Sequence, residues 1–199
     1  MKGKVLLATL VFIAAIFTAP SPAEAATSYR KLNVPTPSQN KSNWCWAAAS
    51  YGVMKYFHKK PTTQCAIVAG IRGGRCANVG GNYYDVKALL NRKQLDMSWY
   101  PGPLSLGFLK KQIDAGRPLM VSLEWARTGT GHLIIVDGYH NNYVYVDFIT
   151  QSKTYQIKMK YTEFVKSSKN ITYTASNGGK ITIAPHHWRY TYYNLRRTK

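Results

Sequence analysis

Four residues of this chain have types and spacing that suit one chemistry: Gln39, Cys45, His132 and Asp147. Cys45 sits in NWCWAAAS, where a polar segment gives way to alanines. A helix beginning near Trp44 would hold this thiol in its first turn. Unpaired N–H groups there favour the thiolate, which is the reactive form. His132 opens the apolar run HLIIVDGY after glycines that allow close approach, so its imidazole could take the thiol proton. Gln39 stands six residues ahead of Cys45 and offers an amide that can donate to a developing oxyanion. Each residue alone has a plainer reading: a packed cysteine, a strand-end histidine, a loop glutamine.

A third group would have to orient the imidazole. Asp137 lies in the same strand as His132, at a spacing that turns it to the opposite face. Asp147, in YVYVDF, belongs to the next strand. A two-residue turn at Asn141-Asn142 would pair His140 with Tyr143, Val136 with Asp147 and His132 with Gln151. That register puts Asp147 on the face of His132 but some residues along. A wider loop or a bulge would bring it closer.

The remaining cysteines bear on Cys45 as well. The chain has three, and the odd count leaves one over. Cys65 and Cys76 flank AGIRGGR and form the natural pair, closing a short loop; the alternative is three free thiols. A disulfide suits an exported chain. Export is also what the first 25 residues suggest: a basic MKGK, the apolar run VLLATLVFIAAIF and Ala23-Glu24-Ala25 form a secretory signal peptide cut after Ala25. The apolar run is too short for a comfortable membrane span. The 199-residue chain carries a formal charge of +19, and losing Lys2, Lys4 and Glu24 lowers it by only one. Such a charge favours an anionic wall or membrane surface, or else simply a solvated basic face. For an exported chain, nucleic acid is the weaker partner. Oligomeric state is not legible.

The elements that must position these residues read as helices first and strands later. Helix is expected from Trp44 to about His58, capped by Ser42 or Asn43, then over 62–70, from Tyr83 to about Asn91, and from Leu104 to Ala115. A glycine-rich loop occupies 71–81. PLMVSLEW, HLIIVDGY, YVYVDFIT and TYQIKM read as strands. YTEFVKSS reads as a short helix, and NITYTAS and KITIAP as a hairpin around Asn177-Gly178-Gly179. This segregation is an α+β pattern in which the helices pack on a mostly antiparallel sheet. The expected organisation is a signal peptide over 1–25, one domain over 26–174, and a basic, Tyr-rich extension over 175–199 that adds a strand or hairpin.

The order Gln39, Cys45, His132, Asp147 resembles that of the papain-like cysteine peptidases. WCWAAAS looks like the family's nucleophile helix start, with tryptophan following the cysteine, and GHLIIVDGY and VYVDF look like its histidine and orienting strands. The match is to small secreted bacterial members akin to avirulence-effector and leader-processing peptidases, over roughly residues 32–174. QCAIV and the later cysteine also look like that group. The resemblance implies a thiol protease with a Cys45–His132–Asp147 triad and a Gln39 oxyanion hole, acting on a peptide or protein without a cofactor. It implies that Trp44 and Trp46 flank the site, one in the core and one shielding the His–Asp contact. Two departures stand out. The Cys-to-His spacing is much shorter than in papain itself, so the second domain is pared down. The stretch ahead of Gln39 is too short for an inhibitory pro-domain of papain type.

Other constellations carry less. Adjacent His186 and His187 in a strand point opposite ways and have no carboxylate or cysteine nearby, which argues against a metal site. GIRGGRC lacks the Lys-Ser/Thr ending of a phosphate-cradling loop. WRYTYYNLRR could stack on sugars or bases, but reads first as a last strand and a basic end. Two alternatives to a peptidase remain: a catalytically silent papain-like module held to an anionic surface, and an amidase or transpeptidase acting on cell-wall peptides.

Overall fold

The computed structural model describes residues 28–57, 59–60 and 63–198. The signal peptide expected over 1–25 lies outside the described residues. Among those residues no helix is long and apolar enough to cross a membrane.

Helix α1 (Cys45–Tyr56) runs through the interior, with Trp46, Ala47, Ala48, Ala49, Val53 and Met54 buried. The small side chains let it lie close to the sheet. At Gly52 an added Cβ would come within 3.2 Å of the Ile135 side chain and of the Thr36 backbone. Two short helices pack beside it. Helix α2 (Gln64–Ile71) is capped by Thr63, and α3 (Tyr83–Arg92) by a reciprocal Asn82–Asp85 box. Helix α4 (Leu106–Asp114), capped by Ser105, completes this layer, and α5 (Tyr161–Val165) is a single turn.

The strands are β1 (Tyr29–Lys31), β2 (Leu95–Tyr100), β3 (Leu119–Trp125), β4 (Gly131–His140), β5 (Tyr143–Ile149), β6 (Thr154–Lys160), β7 (Lys166–Ser167), β8 (Ile171–Thr174), β9 (Lys180–Ile183) and β10 (His186–Arg197). The main sheet is antiparallel, in the order β2-β10-β3-β4-β5-β6. β1 pairs with the far half of β4, and β7 with the start of β10. β8 and β9 form a separate hairpin. Alternation along each strand gives two buried faces. One packs on α1 through Ile135; on the other, Trp188 meets Phe164 of α5 at 4.9 Å.

The molecule is therefore α+β, with N-terminal helices on a mostly antiparallel sheet. The helices and the strands β3–β6 fall within a few residues of the sequence reading, and the β8–β9 hairpin forms around its glycines. Three features differ. Helix α1 has no side-chain cap: its N-cap position falls on Trp44, which has no side-chain acceptor, and Ser42 and Asn43 both bond to Asn78 instead. β2 has no counterpart in the sequence reading. The C-terminal stretch, read as an extension adding a strand or hairpin, becomes β10, which lies inside the sheet between β2 and β3.

Candidate active site

Cys45 is the first residue of α1, and a strap of chain holds that helix end in place. Trp44 Nε1 donates to the Ala77 carbonyl at 2.9 Å and Trp46 Nε1 to that of Val79 at 3.2 Å. Lys41 Nζ reaches the Cys76 carbonyl at 2.7 Å. Gly81 lies against the Trp46 indole so closely that a Cβ there would clash with the ring. The strap is anchored by the Cys65–Cys76 disulfide, which leaves Cys45 as the free thiol. Both tryptophans are buried clamps for residues 77–81.

The Cys45 sulfur faces three backbone N–H groups: that of Leu133 at 3.4 Å, and those of Cys45 and Trp46 at the uncapped helix start. These donors favour a thiolate. Burial outweighs them and pushes the thiol above its ordinary range. A cavity of about 490 Å³ opens over the sulfur. Its walls include the strap at Gly80–Tyr83, residues 130–133 around His132, and Arg189, Tyr190 and Tyr192 of β10.

His132 pairs with Leu123 across β3–β4. Alternation from Ile135, which packs on α1, directs its side chain to the other face of the sheet. The ring stacks on Trp125 at 5.9 Å and lies 4.9 Å from Phe148. Its Nε2 is buried without a hydrogen-bond partner, and no hydrogen bond joins it to Cys45. Burial pulls the imidazole down to about 4, with a hydrogen bond from the ring to the Ile149 carbonyl acting the other way. In this arrangement thiol and imidazole are both held neutral.

The structure does not bring Asp147 to His132. A bulge between Val136 and Gly138 shifts the β4–β5 register by one, so that Ile135, not Val136, faces Asp147. The shift brings Asp147 one rung nearer to His132 but turns it to the opposite face. Its Oδ2 accepts from Thr36 Oγ1 at 2.5 Å, and its Oδ1 is buried without a partner. Asp137 is buried beside it and bound to Lys31 at 2.8 Å. Burial, then the charge of Asp147, raises the Asp137 carboxyl to about 7, against the pull of Lys31. Burial likewise raises Asp147.

Gln39 is buried near the helix start, but its Nε2 donates to the carbonyls of Lys41 at 2.9 Å and Ser42 at 2.6 Å. Its own N–H is tied to Thr150 at the end of β5. Sequence reasoning passed over Trp125 and Phe148, which hold the His132 ring. Arg189, Tyr190 and Tyr192 line the cavity as well, and in the sequence they carry only the signal of a Tyr-rich strand. His187 lies 3.6 Å from Glu124, and His186 is buried against the Ala184 carbonyl. Among the described residues no cluster of three or more His, Cys, Asp or Glu could hold a metal ion.

A thiol at the start of a buried helix, set against an antiparallel sheet with histidine on the adjoining strand, defines the papain-like class of proteins. The chain belongs to the family described as papain-like cysteine protease AvrRpt2, whose pattern matches residues 28–169, and it is a cysteine-type peptidase. Among solved structures it is similar to a C39-like peptidase from Bacillus anthracis, with 16% identity and a TM-score of 0.53, covering 86% of this chain and 100% of that one. It is also similar to a double glycine motif protease from an AMS/PCAT transporter, solved in complex with the leader peptide. There the identity is 14% and the TM-score 0.48, over 85% of this chain and 95% of that one. No curated protein sequence matches at a significant level.

Proposed function

We propose that the protein is a secreted peptidase in which Cys45 is the nucleophile and His132 carries the proton. The observation that carries this reading is the Cys45 sulfur itself: free, at a helix start, under three backbone N–H groups, with a cavity open above it. The sulfur attacks the carbonyl carbon of a substrate peptide bond as its proton passes to His132. The Cys45 N–H holds the oxyanion. Gln39 Nε2 joins it by exchanging the Ser42 carbonyl for the oxyanion. His132 then protonates the leaving amine, and water activated by the imidazole hydrolyses the thioester.

These steps require the His132 ring to leave the Trp125–Phe148 stack and turn toward the sulfur. Its Nε2 gives up no hydrogen bond in doing so. A substrate that displaces water from the cavity while bringing its own amide against the ring supplies the reason to move. Asp147, the third member that the resemblance implies, is bound to Thr36, so it acts here through the segment that leads to Gln39. Before that turn the ring is held by the Ile149 carbonyl.

Secretion is part of the proposal. It is supported by the layout of residues 1–25 and by a disulfide, which suits an oxidising compartment. The charge of +19 favours attachment to an anionic wall or membrane surface close to the substrate. The test is cleavage of a peptide library and of muropeptides, read by mass spectrometry, for wild type and Cys45→Ala. Peptide cleavage that disappears in the variant supports the reading. Cleavage of muropeptides alone would replace it with a wall amidase, and unchanged cleavage in Cys45→Ala would refute it.

A further inference from the structure

The cavity over Cys45 continues into a shelf of aromatic rings. Tyr83, Tyr190 and Tyr192 line the cavity. Tyr83 stacks parallel to Tyr192 at 6.1 Å and meets Trp99 at 5.6 Å, while Trp99 meets Tyr190 at 6.3 Å. Tyr84 packs on Tyr83 at 5.1 Å. Core packing explains Tyr192, which is fully buried. It does not explain why Trp99 is 42% exposed and Tyr84 75% exposed at the outer end of the same cluster.

Strand register shows which way the shelf faces. Trp99 of β2 pairs with Tyr192, so it lies on the cavity side, whereas Tyr100 pairs with Thr191 and turns to the other face. Distance follows from the sheet. Leu133, whose N–H meets the Cys45 sulfur, pairs with Ser122, and Ser122 pairs with Tyr190 of β10, which borders β2. Those are three inter-strand steps of about 4.8 Å, or roughly 14 Å, the length of about four residues of extended peptide.

We propose that this shelf is a substrate subsite that takes a flat aromatic side chain about four residues from the bond cut at Cys45. The inference rests on the reading of Cys45 as the nucleophile. The inner rings are packed on one another, while Trp99 and Tyr84 keep aromatic surface exposed at the outer end, where a further ring can pack.

The experiment uses the purified protein and a peptide library sorted on the cleaved bond. Wild type should favour Phe, Tyr or Trp at one position three to five residues from that bond. Trp99→Ala should raise KM for such peptides about tenfold with kcat unchanged, the loss of one stacking contact. It should also abolish the preference over alanine-substituted peptides. Tyr100→Ala, exposed on the opposite face, should behave as wild type. Absence of an aromatic preference in wild type, or an equal loss on aromatic and alanine peptides in Trp99→Ala, would overturn the subsite. If no cleavage depends on Cys45, the peptidase proposal fails, and the shelf is read by fluorescence anisotropy of the same peptides on Cys45→Ala protein. Binding about tenfold tighter for aromatic peptides, and lost in Trp99→Ala, still supports the subsite; equal affinities overturn it.

Discussion

The two halves of the site are held in opposite ways. At the start of α1, two indole N–H groups, a lysine and a close-packed glycine fix the nucleophile against one loop, residues 76–81. At the β4–β5 end, the imidazole is held by ring contacts with Trp125 and Phe148, its Nε2 is unpartnered, and the aspartate that would orient it faces the other way. The first region is pre-set, and the second must move. Side-chain clamps to one loop hold whatever the strand register, whereas a site that depends on that register is displaced by one extra residue.

The sharpest break of this comparison is His132→Ala. It should cut kcat by about 10³-fold while leaving alkylation of Cys45 by a small reagent within about threefold, because the thiol does not rely on the ring in the free enzyme. Trp46→Ala should act on the other region. It removes a buried indole and the surface that Gly81 packs on, so unfolding by denaturant should show a loss of about 3–5 kcal/mol.

Asp147→Asn tests what the aspartate does. If it serves the segment leading to Gln39 through Thr36, kcat/KM should fall no more than about tenfold and the pH–rate profile should keep its shape. A loss of about 10⁴-fold would make Asp147 the orienting acid of a triad. The same variant has a signature in stability. Asp137 keeps its proton up to about pH 7 in the folded protein, while an unfolded aspartate releases it near 4. Between those values the folded state binds more protons, so stability falls as pH rises from about 4 to 7 and levels off above. Asp147→Asn removes the neighbouring charge, and denaturation measured across that range should then show a shallower fall.

Much of this was legible from local pattern. The alanines of α1, the β-branched runs of β3–β6 and the Cys65–Cys76 loop each carry their signal within a few residues. The placement of β10 between β2 and β3 was not legible, because a tail of alternating tyrosines says that it is a strand but not which strands it joins. The bulge at Asp137 had one sequence trace, Gly138, where a Cβ would meet the Arg30 carbonyl at 2.7 Å. That glycine marks the close approach of β1 and the slip in register that turns Asp147 away from His132. Trp99 is not legible for a related reason: its partners Tyr83 and Tyr190 lie on two other elements, and only the folded sheet brings them together.

The central claim is that Cys45 attacks the peptide bond, and one measurement addresses it most directly. A peptide carrying a thiol-reactive electrophile at the cleavage position is incubated with the protein, and the adduct is mapped by mass spectrometry as activity is followed. The account predicts one adduct per molecule, on Cys45, with activity lost in proportion to labelling. Full activity in a protein whose Cys45 is completely labelled would contradict it.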